Sequence, residues 1–245
     1  MTLIKLPTKL MWGGREIPID GAMERVLEGG VASPEPEQEQ QEPANVQNIN
    51  GFVYVPSIKL YVAKERTHPS LTWTQTQEEL KRQRLAMPTP YQFKEFLRYI
   101  RDSKNPEHKK IFKEVVEVRE PWRAEWINAR FERRKKNWYM TSENALVNGN
   151  YENIEQKLDD FLTKDKTPGI SLDDWINSNA SHGLPTSTSP SGDLYYWAPV
   201  SGCVARFVAD SGGADLGCDG HPGGSSPSLG VFACADVAVA KNLRR

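Results

Sequence analysis

Cysteine is scarce in this chain: 245 residues hold three, Cys203, Cys218 and Cys234. An odd number gathered in one segment does not make a disulfide framework, and neither a CxxC pair nor a Cys/His ligand spacing occurs. Reduced thiols are the expectation, with one bridge and a leftover thiol as the alternative. Long apolar runs are missing too. None approaches the roughly 20 residues that cross a bilayer, so membrane insertion is not expected. The N-terminal MTLIKLPTKLMWGG has too short an apolar core for a secretory signal, and no small-residue cleavage site follows it. An excess of either charge is also lacking. The 31 Lys+Arg residues against 32 Asp+Glu leave a formal net charge of -1, which gives the whole chain no electrostatic claim on nucleic acid or membrane. The four histidines, His68, His108, His182 and His221, follow no metal-ligand spacing. Asp193, Asp210, Asp215 and Asp219 do not match a calcium-binding helix–loop–helix. No metal and no cofactor are expected.

What is present is enough apolar material, 38% of residues, for one large domain or two small ones. Residues 1–31 read as an N-terminal segment with a short apolar stretch, a Gly-Gly turn and a short helix around Ala22–Leu27. Residues 32–50 are rich in Pro, Glu and Gln and lack the apolar content that repays ordering, which predicts a solvated linker. From residue 51 to 245 the composition is that of a folded domain. Phe52–Pro56 and Ile58–Val62 are rich in β-branched and aromatic residues and predict strands. Thr76–Leu85 predicts a charged helix. Thr89-Pro-Tyr-Gln92 is a capping box with proline at the first helical position, and Phe93, Phe96, Leu97 and Ile100 behind it share a helical face. Helices are predicted over 107–118, 121–136 and 151–162, with a short one capped by Ser171, and a strand over Trp138–Thr141. In the 121–136 helix, Trp122, Trp126 and Ala129 would share a face, and Arg133-Arg-Lys-Lys136 would form a basic last turn that favours the helix dipole. Strands, then helices, then a loop-rich β region at the C-terminus make the fold class α+β.

One segment differs from the rest. The 38 residues from Ala198 to Ala235 contain no Lys, Glu, Gln, Met or Trp. Part of this bias begins earlier, since Glu does not occur after Glu155. Gly192 to Gly230 holds nine of the 18 glycines. The five missing types are those that codons ending in a pyrimidine cannot encode. An Asn codon whose two adenines are randomised reaches every other residue type. Small and polar residues between fixed apolar posts are what such a process leaves. The posts are Val204, Ala205, Arg206, Phe207, Ala209, Ala214, Leu216, Leu229 and Val231. Posts hold a scaffold by burial, and residues between them fall on loops that tolerate change. The alternative is a Gly/Ser-rich β-loop region with no special role.

These residues resemble a known family. Leu194–Pro199, Val204-Ala-Arg-Phe207, Ala209-Asp-Ser211, Ala214–Cys218 and Ser228–Ala235 are similar to the C-terminal variable region of diversity-generating retroelement target proteins, in the archaeal and archaeal-virus version. The resemblance implies a C-type lectin fold of the formylglycine-generating-enzyme type. It also implies a coding segment rewritten by a reverse transcriptase with adenine-specific errors. Phe52–Pro56 is similar to the opening strand of formylglycine-generating-enzyme-type domains. Ala86–Phe93 is similar to their "LPT-x-x-E-W" helix start, with Gln92 and Phe93 near the Glu and Trp. Leu229–Phe232 is similar to the closing "GFR" strand, with Phe232 in place of the Arg.

On this reading the variable region spans about 198–227. The ligand-binding residues are Ala198, Val200, Ser201, Gly202, Cys203, Val208, Asp210, Gly212, Gly213, Asp215, Gly217, Asp219, Gly220, His221, Gly223, Gly224, Ser226 and Pro227, with Tyr195 and Tyr196 as the neighbouring aromatics. The partner expected is a protein or cell-surface ligand, and no catalytic residue is assigned. The competing expectation is a cysteine-dependent oxidase on the same fold, using a pair drawn from Cys203, Cys218 and Cys234.

Overall fold

The computed structural model describes residues 9–12, 15–18 and 49–242. The chain forms two compact units, 1–45 and 46–245. In the first, strands β1 (Lys9–Trp12) and β2 (Arg15–Pro18) pair antiparallel, with Trp12 opposite Arg15. The helix expected at 22–27 lies outside the described residues, as does the expected linker up to residue 48. Ile49 belongs to the folded unit and is buried.

The second unit is mixed α and β, with a mostly antiparallel eight-stranded sheet and few helices. Its strands are β5 (Arg123–Arg134), β6 (Asn137–Val147), β7 (Asn150–Leu158), β8 (Lys166–Ile170), β9 (Leu194–Trp197), β10 (Val204–Ala209), β11 (Ala214–Gly220) and β12 (Leu229–Gly230). They lie in the order β7-β6-β5-β10-β11-β9-β8, with β12 alongside β5. Only β9 with β11 and β12 with β5 are parallel. A three-stranded sheet is formed by β3 (Phe52–Val55), β4 (Leu60–Ala63) and β13 (Cys234–Ala235). Among the described residues no helix is long and apolar enough to cross a membrane.

Helices form where the sequence supplies caps. In α1 (Trp73–Arg82), Thr72 and Gln75 make a reciprocal capping box. In α2 (Pro90–Asp102), Thr89 and Gln92 do the same, with Pro90 opening the helix. Asn105 caps α3 (Pro106–Val116) and Ser171 caps α4 (Leu172–Asn177). The short α5 is Val237–Asn242. Each side-chain cap satisfies a backbone N–H that the helix itself leaves unpaired.

The sheet is packed on both faces over its centre. On one face Phe93, Phe96, Leu97 and Ile100 of α2 join Ile127, Phe131, Phe207 and Leu216 in one hydrophobic cluster. Phe207 meets Phe93 at 5.6 Å between ring centres and stacks on Trp175 at 6.1 Å. On the other face a second cluster sets Trp73 and Leu80 of α1, with Ile49 and Tyr61, against Ala124, Trp126, Val204 and Val208.

Two expected helices are strands. Most of the 121–136 stretch, Arg123–Arg134, is β5, an interior strand between β6 and β10. Its even positions Ala124 and Trp126 face one cluster and its odd positions Ile127, Ala129 and Phe131 the other, so the apolar alternation changes phase at Trp126-Ile127 and the residues also satisfy a helical spacing. Two polar residues of the strand are buried: Glu125 Oε1 takes Arg123 Nε at 2.6 Å while its Oε2 has no hydrogen-bond partner among the described residues, and Asn128 Oδ1 accepts from Gln77 at 2.7 Å. The basic run Arg133–Lys136 is therefore the tip of a hairpin, where Arg134 pairs with Glu132 and Glu155. The 151–162 stretch is β7 up to Leu158, an edge strand. Its Glu and Lys residues are helix formers by propensity, but here they decorate an exposed edge, a common device against edge-to-edge association.

Candidate functional site

Strand β11 alternates. Ala214, Leu216 and Cys218 enter the first hydrophobic cluster, so Asp215, Gly217 and Asp219 face the opposite side. Their neighbours there follow from the register. Val208 and Arg206 of β10 lie beside Asp215 and Gly217, and Tyr195 and Trp197 of β9 lie on the other flank. The second cluster covers this face over β5 and β10. It includes none of Tyr195, Trp197, Asp215, Gly217 and Asp219. Arg206 stands at the border, opposite Trp126 on one side and Gly217 on the other. The result is a polar stripe along β11, edged by Trp197, which is 37% exposed.

Other expected residues lie at the ends of the stripe. At one end, Asp210 Oδ1 accepts from the backbone N–H of Gly212 at 2.7 Å and of Gly213 at 3.2 Å, which shapes the β10–β11 turn. At the other end, the loop holding Val200, Ser201, Gly202 and Cys203 is tied down by backbone. Val200 N donates to Cys218 O, Gly202 N donates to Phe131 O, and Ser201 Oγ accepts from Arg133 N. His221 follows β11 directly and is exposed. The segment from Pro222 to Ser226 then leaves the stripe and lies along the start of α1, through Trp73 N to Pro222 O and Ser70 N to Ser226 O. Gly223, Gly224, Ser226 and Pro227 thus form a second patch. Ser201, Asp210 and His221 lie off the two ends of β11, and Gly217 is buried within it.

Four of the expected residues do not fit a freely varied surface. Ala198 is buried in the first cluster and Val208 in the second, where packing constrains any exchange. A Cβ on Gly220 would lie 2.9 Å from Val204 O, a backbone atom that cannot yield cheaply. Gly202 is exposed, but its φ of +87° belongs to the left-handed region, where other residues pay about 1–2 kcal/mol. Gly217 is buried for a different reason. A Cβ there would meet only side-chain atoms: Asp219 Oδ1 at 3.2 Å, Asp215 Oδ1 at 3.5 Å and Arg206 Cγ at 3.6 Å. Of the two expected aromatics, Tyr196 is in the core and donates its hydroxyl to Leu162 O at 2.9 Å. Period-2 alternation along Leu194–Trp197 identifies Tyr195 and Trp197 as the outward pair.

The electrostatics of the stripe are governed by burial. Desolvation raises the Asp215 carboxyl to about 7. Arg206 pulls it down, and Asp210 and Asp219 push it up. Arg206 Nε and Asp219 Oδ1 are buried without a protein hydrogen-bond partner. The three cysteines are free. Burial raises each thiol: Cys234 to about 12, Cys218 well above its usual value, and Cys203 with a further push from Asp219. Thiolate formation is therefore disfavoured at all three. Among the described residues no group of three or more His, Cys, Asp or Glu could hold a metal ion.

No protein-family model, curated protein or solved structure matches this chain.

Proposed function

We propose that this protein is a ligand-binding protein whose C-terminal surface is diversified at the level of its gene, on a C-type lectin framework of the formylglycine-generating-enzyme type. The observation that carries the reading is the alternation on β11. The residues assigned as variable, Asp215, Gly217 and Asp219, lie on the side away from the first hydrophobic cluster, and the residues between them, Ala214, Leu216 and Cys218, enter it. Asp215 and Gly217 are buried and Asp219 is half-buried, but none of the three belongs to either hydrophobic cluster, so a process that rewrites them while sparing the second set leaves both clusters unchanged. Rigid strands on both flanks would keep the backbone in place while side chains change, which limits the ordering cost of binding. The partner is a protein or cell-surface ligand, contacted by the stripe and by the aromatic edge of Tyr195 and Trp197.

The alternative, a cysteine-dependent oxidase, draws less support, because each thiol sits where burial opposes ionisation. The test is the DNA beside the gene. A near-copy of the segment encoding 198–235, differing mainly at adenines and next to a reverse-transcriptase gene, is the expected finding. Absence of both overturns the proposal.

A further inference from the structure

Outside the stripe, a separate cleft of about 470 Å³ opens beside β4 and the start of β5. Lys64, Arg66, Arg119 and Arg123 line it. Glu65 and Glu114 line it too, so the balance of charge rests on which cations are already paired. Lys64 is held by Glu107 at 2.6 Å, and Arg123 by the buried Glu125 at 2.6 Å. The other two guanidiniums are not so engaged. Arg119 reaches its nearest carboxylate, Glu117, only at 3.8 Å, and gives hydrogen bonds to the carbonyls of Glu114 and Glu117. Arg66 has no carboxylate within ion-pair distance among the described residues and donates to the carbonyls of Ala124 and Ser228. A guanidinium carries five donors, so both retain some. Burial is what chiefly lowers the pKa of Arg66; the Glu125 charge opposes it, and the neighbouring Arg123 and Arg119 add to it by less.

A structural explanation is that these arginines neutralise Glu125. Arg66 and Arg119 do act on Glu125 across space. Only Arg123 pairs with it, at Oε1, while Oε2 lies buried without a hydrogen-bond partner among the described residues, and the guanidiniums of Arg66 and Arg119 aim at backbone carbonyls instead. Their remaining donors are therefore not spent on Glu125.

We infer that this cleft binds a single tetrahedral oxyanion, phosphate or sulfate, through the free donors of Arg66 and Arg119. Guanidinium forks match such oxygens geometrically and give charge-assisted hydrogen bonds. Trp122, 36% exposed, also lines the cleft and offers a flat apolar surface to a sugar carrying the anion. The cations lie outside residues 198–227, and of the residues assigned as variable only Pro227 lines the cleft, so the anion's donors do not depend on gene diversification.

The test is titration of the full chain with inorganic sulfate, inorganic phosphate, glucose 6-phosphate and glucose 6-sulfate. Amide and indole NMR shifts and thermal unfolding would be followed at matched ionic strength. Saturable shifts at Trp122 and Arg119 and a raised Tm are expected. Tighter binding of the two sugar esters would identify a sugar-borne anion, and equal binding a free ion. Arg119→Ala should weaken binding about tenfold or more. Should that variant fold poorly, Pro227→Glu offers a second route, since it adds a negative charge at an exposed position lining the same cleft and should also weaken binding. Arg134→Ala, at the hairpin tip, should leave binding unchanged. Non-saturable shifts, or equal response in the wild type, Arg119→Ala and Pro227→Glu, would overturn the inference.

Discussion

Arg206 and Gly217 face each other across β10 and β11, and a Cβ on Gly217 would stand 3.6 Å from Arg206 Cγ. The glycine is the floor of the stripe and the arginine its wall. No backbone atom crowds the missing side chain. Gly217→Ala should therefore change stability by less than about 1 kcal/mol, because only side-chain ends must give way. Three residues on, Gly220→Ala should cost about 1–3 kcal/mol, because its Cβ meets Val204 O and the strand must shift. Urea unfolding of the two variants checks the contrast, and equal losses would contradict it.

Asp215 makes stability depend on pH in a direction opposite to that of a salt-bridged carboxylate. Its carboxyl titrates near 7 in the fold against an ordinary 3.8. Between those values the unfolded chain has released a proton that the folded chain still holds. Stability from this group thus falls as pH rises from about 4 to 7 and is level above, by up to about 4 kcal/mol. Asp215→Asn should gain on the wild type at pH 8 and show no gain at pH 4. Parallel stability curves for the two proteins over that range would refute the assignment.

Phe207 lies between Phe93 and Trp175 on the packed face of β10. Phe207→Ala should lower unfolding free energy by about 3–5 kcal/mol through lost burial and the cavity left behind. Thr89→Ala removes the capping hydroxyl of α2 and should cost about 1 kcal/mol. Denaturant unfolding measures both, and a reversed order would show that the core is not centred where these contacts place it.

The starts of α2 and α4 were legible because caps are local: Thr89, Pro90 and Gln92 specify the start of α2 without reference to anything distant, whereas α1, expected from Thr76, begins at Trp73 behind an unanticipated Thr72/Gln75 box. The face of α2 was legible for the same reason. The strand β5 was not, because its apolar residues serve two cores and their alternation changes phase at Trp126-Ile127, and because its buried polar residues Glu125 and Asn128 rest on Arg123 and Gln77, the latter brought there only by the tertiary fold. In the candidate site, absent residue types marked the segment but could not say which side of a strand each residue takes. Leu216 and Cys218, packed in the core, show the period that separates Asp215, Gly217 and Asp219 from their neighbours. That same period would have exchanged Tyr196 for Trp197. The burial of Val208 was hidden, since α1 and Ile49 cover it from distant parts of the chain. Arg206 was legible as a fixed post but not as the border of the stripe, which depends on where the second cluster ends.

The account turns on one property: side chains on one side of β11 are free to change and those on the other are not. The most direct measurement is the folded fraction in two display libraries of equal size. One randomises Asp215, Gly217 and Asp219, and the other randomises Ala214, Leu216 and Cys218. Most members of the first should resist proteolysis as the parent does, and selection on cell-surface ligands should enrich binders from it. Most members of the second should be degraded. Equal survival of the two libraries, or loss of the first, would contradict the account.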